Sequence, residues 1–161
     1  MATPDDLEDL ARGFVVTEAV AAVQDIAGID VRTEELGVLV DVRFTPGAGP
    51  RKARPRNLEG RSSCGLCGVE RLADAVRPLP TLAASDTVLA HTVIPRALER
   101  LEVEQALGRL TRATHAAAFF SLDGDLLLLR EDVGRHNALD KLAGALLREG
   151  HDPATGFVVV T

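Results

Sequence analysis

Hydrophobic residues along the chain follow two periods, one typical of helices and one typical of strands. Near the start, apolar residues recur at helical spacing, at Leu7, Leu10, Phe14 and Val15. The preceding Thr3-Pro4-Asp5-Asp6 offers an N-cap, a proline for the first helical position and acids for the first turn. We therefore expect an amphipathic helix up to about Ala22. Over residues 36–44 the apolar positions alternate instead, which predicts a strand paired into a sheet.

The second half of the chain combines strand and helix patterns in the same way. Residues 115–121 and 126–130 are apolar strand candidates, and the Asp123-Gly124 pair between them is a strong hairpin signal. Residues 134–148 predict a helix, which would bury Leu139, Leu142, Ala143 and Leu146. Residues 157–161 have the pattern of a buried strand.

Proline and glycine divide the middle of the chain. Residues 45–60 are predicted to form a loop, because several glycines and prolines interrupt any period there. Residues 69–77 predict a short helix, stopped by the prolines that follow, and residues 95–107 predict a longer one. The whole pattern is that of a single α/β domain over residues 1–161.

Composition and charge narrow the possible partners. The chain is 46% hydrophobic and 26% charged, the balance of a globular protein. A formal net charge of −6 argues against duplex nucleic acid as a partner, because phosphate binding needs a basic face. The longest apolar runs are too short to span a bilayer, so we expect a cytoplasmic protein with no membrane partner. Six of the eighteen Lys and Arg residues lie between Arg43 and Arg61, in a segment that would attract an anionic cofactor or an acidic partner.

The two cysteines, Cys64 and Cys67, lie three positions apart in the segment SSCGLCG. The flanking glycines allow a tight turn, and the predicted helix after them would direct the positive end of its dipole towards the thiols. Both effects favour the thiolate, which is the nucleophilic form and can carry a sulfur atom as a persulfide. We therefore interpret the pair as reactive thiols, one of which carries sulfur while the other regulates or resolves the intermediate.

Three other interpretations of the cysteine pair stay open at this point. A structural zinc site would need further ligands, and the candidates are His91, His115, His136 and His151 with nearby carboxylates. A thioredoxin-like dithiol would need a strand and an active-site helix in an early βαβ pattern, which the preceding sequence lacks. Two buried and inert cysteines are the third interpretation, and the polar serines beside Cys64 argue against it.

A second candidate site lies in the segment EDVGRHNALDKL, residues 131–142. A strand, a short turn and a helix beginning near Arg135 place several donors at a helix N-terminus, where a phosphate or another anion binds favourably. The candidate binding residues are Asp132, Gly134, Arg135, His136 and Asn137. A purely structural interpretation, with Asp132 as an N-cap and Asp140 and Lys141 as solvated surface, accounts for the acids only.

Taken together, the two segments resemble the formate dehydrogenase accessory sulfurtransferase family, FdhD. The resemblance rests on SSCGLCG at residues 62–68 and EDVGRHNALDKL at residues 131–142, with support from LEDLARGFVVTEAV at residues 7–20 and THAAAFF at residues 114–120. It implies that a persulfide on Cys64, with Cys67 as its companion, passes sulfur from a cysteine desulfurase to a cofactor of formate dehydrogenase. That cofactor is a molybdenum or tungsten bis-pterin guanine dinucleotide.

The resemblance also implies a fold, similar to the mixed sheet flanked by helices of cytidine deaminases, and a homodimer. No His-x-Glu precedes the cysteine pair, so we expect no bound metal in the protein itself. Family members begin with earlier strands and continue into a nucleotide-binding segment, so the domain is expected to be incomplete at both ends. Two alternatives to sulfur transfer are a cofactor-binding chaperone without sulfur chemistry and a zinc-dependent hydrolase like the deaminases.

Overall fold

A computed structural model describes residues 1–48, 81 and 86–161, which contain four α-helices, two short 3-10 helices (Val23–Asp25 and Pro153–Thr155) and five strands. The helices are α1 (Leu7–Thr17), α2 (Val93–Glu104), α3 (Ala106–Thr111) and α4 (Arg135–Glu149). The strands are β1 (Ile26–Glu34), β2 (Gly37–Phe44), β3 (His115–Ser121), β4 (Leu126–Asp132) and β5 (Gly156–Val160). These elements confirm the predicted α/β class. None of the helices in this part of the chain is long and apolar enough to cross a membrane.

The described strands form two sheets, and every pairing in them is antiparallel. Strands β1 and β2 make a two-stranded hairpin, while β3 lies between β4 and β5 in a three-stranded sheet. The predicted Asp-Gly turn joins β3 to β4, and its Gly124 has a φ of 88°. Glycine adopts this left-handed conformation without the steric cost that a Cβ atom would bring.

Both faces of the three-stranded sheet are covered by helices, because successive side chains of β3 point to opposite sides. One face packs on α4 through a cluster of buried residues that includes Ala117, Phe119, Ala138, Leu142 and Ala145. The other face packs on α2 through Ala116, Ala118, Phe120, Ala97 and Leu101. Burial on both sides explains why β3 is apolar at successive positions instead of alternating with polar residues.

Helix α1 packs directly against α4, and two glycines bring the two backbones into contact. A Cβ atom on Gly13 would lie 1.8 Å from the backbone oxygen of Asp140. A Cβ atom on Gly144 would lie 1.9 Å from the backbone oxygen of Asp9. At the end of α1, the Thr17 hydroxyl donates a hydrogen bond to Asp140 Oδ1 at 2.8 Å. The close crossing of the two helices therefore depends on the absence of side chains at two positions.

Most predicted elements are confirmed within a few residues, and β1 is an element that the sequence prediction missed. The strand predicted at residues 36–44 is β2, and the helix predicted at residues 134–148 is α4. The helix predicted at residues 95–107 is divided at Gln105 into α2 and α3. The missed strand had a usable signal, because Ile29, Val31 and Thr33 alternate with charged residues.

Helix α1 ends at Thr17, so the prediction that it reaches about Ala22 was wrong. The backbone N–H of Val20 donates to the carbonyl of Val15 at 2.8 Å, while Ala19 has a φ of 51°. This pairing around a left-handed residue is the Schellman arrangement that terminates helices. Glycine usually occupies the left-handed position, and its absence here concealed the helix end from the sequence pattern.

An Ala19→Gly variant should be more stable than the wild type by about 0.5 kcal/mol. The gain comes from removing the steric cost of a Cβ atom in the left-handed region, and the larger entropy of glycine in the unfolded chain offsets part of it. Urea unfolding measures the change. The control is Ala22→Gly, at a residue with an ordinary φ of −76°, which should lose stability. Equal effects at both positions would contradict the assignment.

Several predictions fall on residues that the structure does not describe. These are the loop and basic segment beyond residue 48, the helix predicted at residues 69–77, and both cysteines, Cys64 and Cys67. They stay predictions from the sequence.

Candidate functional site

The predicted anion-binding residues lie together where β4 ends and α4 begins. Asp132 is the last residue of β4, Gly134 immediately precedes α4, and Arg135, His136 and Asn137 form its first turn. The helix starts with a hydrogen bond from the backbone N–H of Ala138 to the carbonyl of Gly134 at 2.9 Å. The grouping predicted from the sequence is thus present in the fold, while Cys64 and Cys67 lie outside the described residues.

The carboxylate of Asp132 is fully buried and accepts hydrogen bonds at both oxygens. Its Oδ1 accepts from the backbone N–H of Gly134 at 2.9 Å and from Asn137 Nδ2 at 3.0 Å. Its Oδ2 accepts from the backbone N–H and the hydroxyl of Thr3, both at 2.9 Å, and lies 2.8 Å from Lys141 Nζ. These partners replace the water that a buried carboxylate loses. Thr3 is therefore bound to Asp132, and the prediction that it caps α1 was wrong.

The ammonium group of Lys141 is also fully buried, at the centre of this network. Besides Asp132, it contacts Thr3 Oγ1 at 2.6 Å and donates to the carbonyl oxygens of Thr3 and Glu131, both at 3.2 Å. The interpretation of Asp140 and Lys141 as solvated surface was wrong, because their exposed fractions are 4% and 0%. Four oxygen contacts, one of them with the opposite charge of Asp132, make the burial of this lysine tolerable.

In contrast to Asp132, the side chains of Arg135 and His136 are exposed. They follow one another in the first turn of α4, where the backbone N–H groups and the helix dipole favour an anion. Asn137 is buried and donates from Nδ2 to the carbonyl of Met1 at 2.9 Å, in addition to Asp132. The predicted binding residues therefore separate into two exposed side chains and a buried group that holds the turn.

The whole chain, residues 1–161, matches the model of the FdhD/NarQ family. The chain belongs to this family. The sulfur carrier protein FdhD of Cupriavidus necator is 47% identical to it and that of Bordetella bronchiseptica 44%, each over the full length of this chain. The chain spans only 56% and 59% of the length of these two relatives.

A solved structure supports the FdhD/NarQ fold independently. A crystal structure from Desulfotalea psychrophila, described as that of a formate dehydrogenase accessory protein, superposes with a TM-score of 0.63. The superposition covers all of this chain and 58% of the other, at 24% sequence identity. At that identity the similarity shows a shared fold.

Within this FdhD/NarQ chain, the surroundings of Asp132 lower the pKa of its carboxyl below the usual 3.8. Burial is the largest single influence and by itself raises the pKa, because it disfavours the charged form. The hydrogen bonds from Lys141, Gly134, Asn137 and Thr3 together outweigh burial. The carboxylate is therefore ionised at neutral pH.

The stability that ionised Asp132 contributes should be lost in acid. Because its folded-state pKa lies below the unfolded value, the contribution is complete above 3.8 and disappears as the pH falls through the lowered folded-state pKa. An Asp132→Asn variant should therefore be clearly less stable than the wild type near neutral pH, and the difference should shrink in acid. Urea unfolding of both proteins over a pH series measures the difference. A difference independent of pH would show that the carboxylate charge is not what stabilises the turn.

Glu131 is a second organised carboxylate in the FdhD/NarQ motif, and the sequence prediction did not assign it a role. Its Oε2 accepts from the backbone N–H of Leu107 at 2.9 Å, and its Oε1 accepts from that of Gly108 at 2.7 Å and from the Thr114 hydroxyl at 3.3 Å. It thus satisfies two backbone donors at the start of α3. No local signal could have revealed this, because all three partners belong to another part of the chain.

An open cavity of about 370 Å³ lies beside Glu131, and its chemistry differs from that of the α4 turn. The carboxylate residues that line it are Asp5, Asp6, Glu104 and Glu131. Their negative charge is unfavourable for an anionic ligand. Among the described residues, the α4 turn is therefore the better candidate for an anion-binding site.

Two of the four histidines considered as zinc ligands make other contacts. His115 Nδ1 lies 2.9 Å from the backbone oxygen of Thr161, and the ring of His151 packs edge-on against Phe119. In the ranges 1–48 and 86–161 no three His, Cys, Asp or Glu side chains are grouped so that they could hold a metal ion.

Proposed function

We propose that this chain carries sulfur in the maturation of formate dehydrogenase. Cys64 accepts a sulfur atom from a cysteine desulfurase and passes it to the molybdenum bis-pterin guanine dinucleotide cofactor, with Cys67 as the second thiol. The observation that carries the proposal is a closely spaced cysteine pair in a chain 47% identical, over its whole length, to a sulfur carrier protein. The chemistry requires reduced thiols, which fits a cytoplasmic location.

The first step is a thiolate exchange. The Cys64 thiolate attacks the outer sulfur of the desulfurase persulfide, a new S–S bond forms, and the donor cysteine leaves as a thiolate. In the second step the terminal sulfur of the Cys64 persulfide is released to the cofactor. If Cys67 releases it by attacking the Cys64 sulfur, hydrosulfide leaves, a Cys64–Cys67 disulfide forms, and a thiol reductant must restore both thiols.

The turn from Asp132 to Asn137 contributes to binding the anionic cofactor in this proposal. Arg135 and His136 are the contact side chains, because both are exposed at the N-terminus of α4. The partners, a cysteine desulfurase and a formate dehydrogenase, and a homodimeric assembly belong to the same proposal.

Mass spectrometry of the intact chain tests the sulfur-carrier role. After incubation with a cysteine desulfurase and cysteine, we expect a single-sulfur adduct on Cys64 that a thiol reductant removes. A Cys64→Ser variant should carry no adduct at that position, whereas Cys67→Ser should retain it. If the folded wild-type chain gains no reducible adduct, the sulfur-carrier role is wrong.

The second candidate is a chaperone that binds the cofactor without sulfur chemistry, and the exposed Arg135 and His136 favour it because their position does not depend on the cysteines. Restoration of formate dehydrogenase activity in cells lacking the endogenous accessory protein separates the two functions. For a sulfur carrier, Cys64→Ala should abolish restoration. For a chaperone, Cys64→Ala should still restore activity, while the Arg135→Ala/His136→Ala double variant should not.

A further inference from the structure

We propose that Asp132 is a positioning residue whose Oδ1 atom closes the turn from Gly134 to Asn137 at both ends and so fixes the direction of Arg135 and His136. This inference rests on the proposed role of those two side chains in binding the anionic cofactor. It gives Asp132 and Asn137 a task other than contact with the ligand.

The geometry that carries the proposal is the convergence of two hydrogen bonds on one atom. Asp132 Oδ1 accepts from the backbone N–H of Gly134, before the exposed pair, and from Asn137 Nδ2, directly after it. Arg135 and His136 are the two residues between these attachments. Their backbone is therefore held from both sides, and the entropy of ordering it is lost on folding instead of on binding.

The carboxylate of Asp132 is poorly placed to contact a ligand itself. Its side chain is 0% exposed, and its Oδ2 already faces three donors from Thr3 and Lys141. An anionic ligand would also be repelled by an ionised carboxylate at close range. Burial, saturation with donors and charge all assign Asp132 a supporting role.

A second layer of contacts holds the carboxylate of Asp132 in place. Lys141 Nζ joins Asp132 Oδ2 to the Thr3 hydroxyl and to the carbonyl of Glu131. These contacts tie the carboxylate to β4, to α4 and to the segment before α1. Because the carboxylate cannot move independently of these elements, the turn that it closes is fixed relative to the sheet.

There is little space at Gly134 for a side chain, because the hydrogen bond between Asn137 and Asp132 lies beside it. A Cβ atom on Gly134 would lie 3.2 Å from Asn137 Nδ2 and 3.6 Å from Asp132 Oδ1. The first distance is closer than an ordinary van der Waals contact. A Gly134→Ala variant should therefore displace the Asn137 amide by a few tenths of an ångström and weaken its bond to Asp132, while leaving the ion pair with Lys141 intact.

Equilibrium binding of the bis-pterin guanine dinucleotide released from a purified formate dehydrogenase tests the proposal. Asp132→Ala, which removes the acceptor of both hydrogen bonds, and Asn137→Ala should each weaken binding by about tenfold, because the exposed pair loses its fixed orientation. The Asn137→Ala variant keeps the buried ion pair, so it serves if Asp132→Ala does not fold. The matched control is Asp9→Ala.

Asp9 is suited to this comparison because it is another buried and ion-paired aspartate. It lies in α1 and contacts Arg148 in the last turn of α4, far from the first turn. It is 1% exposed, and its Oδ2 lies 2.8 Å from Arg130 Nη2 and 3.2 Å from Arg148 Nη2. Asp9→Ala should lower the melting temperature, as Asp132→Ala does, yet leave cofactor binding unchanged. Hydrogen exchange at the Gly134 amide should become faster in Asp132→Ala, which lacks its acceptor, and not in Asp9→Ala.

The outcomes separate the positioning role from the proposed function. If Asp132→Ala and Asn137→Ala bind the cofactor as tightly as Asp9→Ala, while Arg135→Ala binds it weakly, the positioning role is overturned and the role of Arg135 in binding stands. If Arg135→Ala and His136→Ala both bind like the wild type, the proposed contact of these two residues with the cofactor and the positioning role of Asp132 are both wrong. The sulfur-carrier role is not affected by that result, because the adduct on Cys64 tests it independently. Weaker binding by Asp132→Ala, Asn137→Ala and Arg135→Ala, with normal binding by Asp9→Ala, supports the proposal.

Discussion

A Gly144→Ala variant is expected to lose about 4 kcal/mol of its free energy of unfolding, which places it among the most damaging single substitutions. The added Cβ atom would lie 1.9 Å from the backbone oxygen of Asp9, in the neighbouring helix α1. Neither backbone can rotate away as a side chain would, so the helices must separate and lose the packing between them. Gly13→Ala should act similarly, since its Cβ atom would lie 1.8 Å from the backbone oxygen of Asp140.

Urea unfolding followed by circular dichroism measures this loss. Gly108→Ala is the matched control, because it places alanine in another helix, α3, where the Cβ atom would contact side-chain atoms of Gln105 and Glu131 at 3.1 to 3.3 Å. The control should change stability by less than about 1 kcal/mol, because alanine is also the better helix former. Comparable losses at Gly144 and Gly108 would show that the helix crossing is not the cause.

A Lys141→Met variant is expected to lose about 3 to 5 kcal/mol at neutral pH, the usual cost of removing one member of a buried ion pair. The hydrophobic volume of the side chain is kept, so the loss comes from leaving the Asp132 carboxylate buried without its counter-charge. The carbonyl oxygens of Thr3 and Glu131 lose a donor as well. Both effects should make segment 1–3 detach from α4 more readily.

Urea unfolding also measures this second effect, with Arg148→Met as the control. Arg148 also contacts a buried carboxylate, that of Asp9, but its own side chain is 43% exposed. Its removal should therefore cost less than about 1 kcal/mol. The cost of Lys141→Met should fall in acid, once protonation removes the charge of Asp132. A small and pH-independent cost would indicate that water enters the network and replaces the ammonium group.

Local patterns were sufficient for most of the secondary structure. The Asp-Gly turn, the apolar β3 and the periodic α4 could be predicted because each is determined by residues close together in the chain. The early end of α1 could not, since Ala19 has no intrinsic preference for the left-handed conformation it adopts. The hydrogen bond from Val20 to Val15 and the burial of Val20 accompany this conformation, against the propensity of Ala19 itself.

The candidate site shows the same division. The sequence grouped Asp132, Arg135, His136 and Asn137 correctly in one turn, because a strand followed by a helix N-terminus has a recognisable pattern. It did not separate the exposed Arg135 and His136 from the buried Asp132 and Asn137. The buried Asp132 is bound by Thr3, which lies 129 residues before it in the sequence.

The sequence by itself determined the α/β class, the paired cysteines at positions 64 and 67, and a resemblance to the FdhD family that the family match confirms. These are properties of residue type and spacing. Only the tertiary structure decided that Lys141 is buried and paired, that Gly13 and Gly144 are required where two helices cross, and that Arg135 and His136 are the exposed side chains of their turn. Each of these depends on contacts between distant segments, and burial is a property of the folded chain that no local pattern encodes.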